Sequence, residues 1–142
     1  MIIRLNVAAL FVSSLLTMSS ALQAAVVLQY HHIDTDTPNS TSTDPALFAQ
    51  HIEYLIKNNF TITALPLLVS QLVSEEKIKD KTVAITFDDG FSSVYEHAFP
   101  ILKQHNIPFT IFINTDPIEA KRSSHVSWAQ LREMKTHGAT IA

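Results

Sequence analysis

The chain has 142 residues, a formal net charge of −3 with its seven histidines neutral, and no cysteine. Its Lys and Arg residues are scattered rather than clustered, which argues against nucleic acid as a partner. The absence of thiols excludes disulfides, thiolate metal sites and attachment of lipid to a cysteine.

The first segment carries one positive charge at Arg4, an apolar stretch over residues 7–16, and small and polar residues ending in Ala24 and Ala25. That is the layout of a secretory signal peptide, with cleavage after Ala21, Ala24 or Ala25. A retained membrane anchor is the alternative, but the stretch falls short of the about 20 residues a span needs. We therefore expect a signal peptide over residues 1–24, a domain over residues 25–142, and a mature protein free in the periplasm or outside the cell with no stable membrane anchor.

Downstream, residues 26–30 read as a strand and residues 31–43 as a polar loop rich in Thr, Ser, Asp and Asn. Asp44 then offers an N-cap ahead of Pro45, and Leu47, Phe48, His51, Ile52, Leu55 and Ile56 follow at helical spacing. A short strand is expected at 60–63, a helix at 65–74 and an apolar central strand at 83–87. Residues 94–104 form the next helix, distorted at Pro100, and residues 109–113 another apolar strand. Ser127 and Gln130 form a capping box for a helix that reaches His137 and stops at Gly138, after which a fifth strand begins at 139. Strands apolar on both faces and separated by helices indicate a parallel sheet covered on both sides, an α/β architecture.

The run Thr86-Phe87-Asp88-Asp89-Gly90 is the most informative segment. Successive strand residues point to opposite faces, so two adjacent aspartates converge on one site only where a strand stops and the chain turns, as Gly90 permits. The carboxyl end of a parallel sheet is also where α/β proteins carry their chemistry. A plain Asp-Gly turn is the alternative on pattern alone.

With Leu28-Gln29-Tyr30-His31 upstream and residues 107–113 downstream, this run resembles the polysaccharide deacetylase family, also called the NodB-homology or carbohydrate esterase 4 family, whose first motif reads T-F-D-D-G. The resemblance covers most of residues 25–142. It implies the N-terminal part of an irregular (β/α) barrel and a hydrolase that removes acetyl groups from N-acetylated sugars of a polysaccharide. It also implies that Asp88 is the catalytic base, that Asp89 is a metal ligand, and that a divalent metal, zinc first, is the cofactor. Two further histidine ligands belong to a second motif, H-S/T-x-x-x-H, that this sequence does not contain, so one of three expected ligands is present. A complete (β/α) barrel takes about 250 residues. We therefore expect an inactive N-terminal fragment, with a non-catalytic carbohydrate-binding remnant as the alternative.

Tyr30-His31 matches a pair common in the family, and His31 and His32 should reach the same rim as the aspartates, with His31 lining the site. His51, His97, His105, His125 and His137 read as surface or helix-end residues. Phe91 and Tyr95 could stack on a sugar, Tyr95 more simply packs inward, Thr86 could hydrogen-bond within the site, and Trp128 reads as core or rim packing. Phosphoryl transfer is disfavoured because the chain has only two glycines and no phosphate loop, and glycoside hydrolysis because adjacent carboxylates are too close together.

Overall fold

The computed structural model describes residues 25–142, so the expected signal segment lies outside the described residues. Residues 25–142 form β1 (Ala25–Tyr30), β2 (His32–Ile33), β3 (Ser42–Thr43), α1 (Pro45–Lys57), β4 (Thr61–Ile62), α2 (Leu65–Val73) and β5 (Thr82–Phe87). A π-helical turn (Val94–Ala98) then runs into α3 (Phe99–Gln104), followed by β6 (Phe109–Ile111), α4 (Thr115–Glu119), α5 (Trp128–Thr136) and β7 (Ala139–Ile141).

The main sheet has the order β1-β5-β6-β7, with β4 lying beside the start of β5, and every pair in it is parallel. Register then sorts the faces. Gln29, Thr86, Thr110 and Thr140 align as one row across four strands, and Tyr30, Phe87, Ile111 and Ile141 form the next. Because side chains alternate along a strand, one row is polar on one face and the next is apolar on the other. The apolar face makes the core. Phe87 sits 5.8 Å from Phe48 of α1 and 5.7 Å from Phe109, which lies 6.4 Å from Phe99 of α3. On the opposite face Ala84 packs with Leu68 of α2 and Ile78. Thr110 is buried there with no hydrogen-bond partner for its hydroxyl among the described residues.

Local signals are realised where the physics is local. The Asp44 carboxylate accepts from the backbone N–H groups of Ala46 and Leu47 at 2.7 and 3.3 Å, with Pro45 opening α1. Ser127 and Gln130 close a reciprocal capping box on α5, and Gly138 follows in the left-handed region at φ 96°. The distortion expected at Pro100 is the π turn itself: the Phe99 N–H reaches back five residues to the Val94 carbonyl, next to a residue with no N–H to give.

Elsewhere tertiary context decides. The expected loop over residues 31–43 contains β2 and β3, which pair in parallel and bury Ile33, whose N–H donates to the buried Ser93 Oγ at 3.2 Å. One apolar residue in a polar stretch has no periodicity to read. Leu47 and Ile56 are left 45% and 43% exposed, so the buried stripe of α1 narrows to Phe48, Ile52 and Leu55. β6 stops at Ile111 rather than 113, and α4, at five residues, is too short to announce itself in the sequence. No helix among the described residues is long and apolar enough to cross a membrane.

Candidate active site

Asp88 stands one residue past β5, and its N–H continues the ladder by donating to the Tyr30 carbonyl at 2.9 Å. Alternation brings its side chain to the face that carries Gln29 and Thr86. There the Gln29 Nε2 donates to Asp88 Oδ2, and His31 Nε2 lies 3.8 Å from the same oxygen. Asp89 departs from the strand. It adopts φ 66° and Gly90 φ 68°, two successive left-handed residues that swing the chain over the sheet edge. An aspartate tolerates that region better than most residues do. At Gly90 a side chain has little room as well, because a Cβ would come within 3.2 Å of Ile113 Cγ2.

Asn114, three residues past β6, donates from Nδ2 to Asp89 Oδ1 at 3.1 Å. The two carboxylates thus open on one cleft of about 430 Å3, lined by Gln29, Asp88, Asp89, Phe112, Ile113 and Asn114. Beside it, the His32 ring stacks on Phe91 at 3.6 Å and the His125 ring lies 5.0 Å from Phe91. Burial is the largest influence on both imidazoles and pushes each below the ordinary histidine value. The Asp89 charge acts against that shift on both.

Asp88, Asp89, His31 and His32 therefore share the rim expected of them. Thr86 is tied within the sheet, its hydroxyl donating to the Leu28 carbonyl at 3.3 Å. Tyr95 lies half-buried away from the cleft and donates to Glu133 Oε2 at 2.6 Å. His51 is a correction. It is half-buried, with Nδ1 3.1 Å from the Tyr30 hydroxyl, because α1 lays that face against β1. His125, expected at the surface, is instead drawn to the rim by two backbone bonds, Ser92 N–H to the Ser124 carbonyl and Val126 N–H to the Gly90 carbonyl, both 2.9 Å. Gln29 and Asn114 are missed by sequence reasoning. A lone amide within the apolar strand Ala25–Tyr30 was the available signal for the first, and a position just past the neighbouring strand for the second.

Asp89 offers one carboxylate, and among the described residues no three His, Cys, Asp or Glu side chains converge where they could hold an ion. Residues 1–24 contain none of these four types. Among the described residues the donors do not complete a tetrahedral site.

Residues 75–142 match the family model described as polysaccharide deacetylase. The fold also superimposes on IcaB from Ammonifex degensii with a TM-score of 0.77 and 32% identity, over 84% of this chain and 52% of that one. The chain carries part of a NodB-type polysaccharide deacetylase domain. Its parallel sheet is part of the irregular (β/α) barrel of these deacetylases, with the T-F-D-D-G motif at the carboxyl end of β5. YxkH of Bacillus subtilis (strain 168), provisionally named a polysaccharide deacetylase, is 32% identical over 115 residues, which are 81% of this chain and 40% of that protein. The poly-beta-1,6-N-acetyl-D-glucosamine N-deacetylase of Staphylococcus aureus is 36% identical over 59 residues, 42% of this chain and 20% of that protein. The chain spans about half or less of the length of each of these deacetylases.

Proposed function

We propose that this chain supplies the catalytic base and one metal ligand of an exported, metal-dependent deacetylase acting on N-acetylated sugars of a polysaccharide. The observation that carries the reading is the convergence of Asp88 and Asp89 on one cleft at the end of β5, with an amide holding each carboxylate. Asp88 takes the proton from a water that attacks the acetamide carbonyl. The C–N bond then breaks as the nitrogen takes up that proton, and acetate and a free sugar amine leave. Gln29 fixes the Asp88 carboxylate, His31 lines the site beside it, and Asn114 occupies one oxygen of Asp89, leaving the other for the cation. That cation, zinc by the mixed imidazole and carboxylate ligation the family resemblance implies, supplies Lewis acidity when bound. The named substrate of the Staphylococcus relative supports an N-acetylglucosamine polymer as the glycan class. The pattern of residues 1–24 supports export to the periplasm or beyond.

Because this chain offers a single ligand, it does not hydrolyse the substrate by itself. A chimera joining residues 25–142 to the C-terminal part of the Bacillus relative, assayed with zinc, should release acetate from an N-acetylglucosamine tetramer. Asp88→Asn should lower that rate by about 10²–10⁴-fold. Asp89→Ala should weaken zinc binding measured by calorimetry. A chimera with Asp88→Asn that keeps its rate overturns the assignment of the base. A folded chimera that binds the tetramer and releases no acetate points to a carbohydrate-binding role instead.

A further inference from the structure

A second concavity, about 580 Å3, lies between α4 and the first turn of α5, away from the aspartates, and Glu119, Arg122, His125 and Trp128 contribute to its walls. Its volume is in the range of small-ligand sites. Trp128 is the only tryptophan in the chain and is 38% exposed, so it is not core packing. It is nevertheless held in place. Its indole N–H donates to Glu119 Oε1 at 2.9 Å, and it directly follows the capping box at Ser127. A fixed aromatic ring with an open side, beside a carboxylate and a guanidinium, offers an apolar platform and polar groups at its edge. A pyranose presents the same pattern, with C–H groups on one face and hydroxyls around the rim.

The pocket adjoins the ring cluster that lies just past the aspartates. His125 belongs to its wall and to the ring cluster with Phe91, and residues 124–126 are bonded to residues 90–92 by the two backbone bonds described above. Ring contacts thus lead from Phe91, just past the motif, through His125 to the pocket of Trp128.

We propose that this pocket is a glycan subsite in which Trp128 stacks on a neutral pyranose ring of the same polymer whose acetamide faces Asp88, while Glu119 and Arg122 bind its hydroxyls. It rests on the polysaccharide reading above and adds a place, a platform and a chain length to it. An oligomer spanning both regions binds better than a single sugar.

The single tryptophan makes the site its own reporter. Titration of the 142-residue chain with an N-acetylglucosamine tetramer should shift or quench the indole emission saturably, whereas the monosaccharide should need at least about tenfold higher concentration. By calorimetry Trp128→Phe, which keeps a ring, should bind the tetramer within about threefold of the parent, and Trp128→Ala about tenfold more weakly. The double variant Glu119→Gln with Arg122→Ala should weaken the fluorescence titration while circular dichroism stays unchanged. Flat emission at millimolar tetramer, or a change that the double variant leaves intact, overturns the subsite. Acetate release by the chimera with flat Trp128 emission would remove the subsite and keep the deacetylase reading. Saturable emission with no acetate release would do the reverse.

Discussion

β1 and β5 are paired strands of six residues each, yet they meet opposite fates. All six residues of β5 are buried, including Thr82 and Thr86 at 4% and 3% exposure, while Val26 and Val27 of β1 remain 49% and 47% exposed. Hydrophobicity does not explain this, since valine outranks threonine on any transfer scale. Neighbours do. β5 has β1 along one side and β4 and β6 along the other, with α2 against it, whereas among the described residues β1 pairs only with β5. The candidate base stands at the end of the more constrained strand, where a small displacement of the backbone is hardest to make.

The comparison is sharpest in the energetics of truncation. Phe87→Ala removes a fully buried ring from the centre of the aromatic core and should cost about 3–5 kcal/mol, read from urea unfolding midpoints. Val27→Ala on β1 should cost less than about 1 kcal/mol in the same assay. Equal losses would mean that β1 is as enclosed as β5. At the turn beyond β5, Gly90→Ala meets both the left-handed φ and the 3.2 Å approach of Ile113, and a loss of about 1–3 kcal/mol is expected. A neutral result would show that the turn after Asp89 relaxes freely.

The smallest effect concerns the loops in which the two strands end, where His32 after β1 stacks on Phe91 after β5. Burial lowers the folded-state value of His32, and of His125, below the ordinary histidine value near 6.5. The unfolded chain then binds more protons in that window. Stability is complete above about pH 6.5 and declines as pH falls toward the lowered folded-state values. His32→Phe keeps a ring against Phe91 and removes one of these protonations, so its unfolding midpoint should fall less steeply between neutral and mildly acidic pH. An acid limb as steep as that of the parent would assign the loss to other groups.

Most of the fold was legible because its signals are local. Asp44-Pro45, the Ser127 and Gln130 box, Gly138 and the unbroken apolar run before Asp88 each act within a few residues. The candidate site was legible on one side only. Asp88, Asp89 and His31 follow strands, and strand ends on one edge of a parallel sheet can be placed from sequence alone. His125 could not be placed, since what brings it to the rim is a pair of backbone bonds to residues more than thirty positions away. Trp128 read as core or rim packing, and which of the two could not be placed either, because its 38% exposure depends on how the five-residue α4 leaves a hollow beside it. Leu47 and Ile56 failed differently. Helical spacing says which residues share a face, and only the width of the partner surface says how many of them are covered.

The bond from Ile33 to Ser93 bears on how far the first loop can drift from the motif. These residues are sixty positions apart, and no ladder of strand pairing joins their two segments beyond the end of β1. Slipping the loop by a single residue would leave the Ile33 amide in a dry interior with nothing to accept its hydrogen, a penalty of about 1–3 kcal/mol. The loop accordingly has one seat. The span between the His31 imidazole and the Asp88 carboxylate is gauged by a serine hydroxyl that touches neither of them.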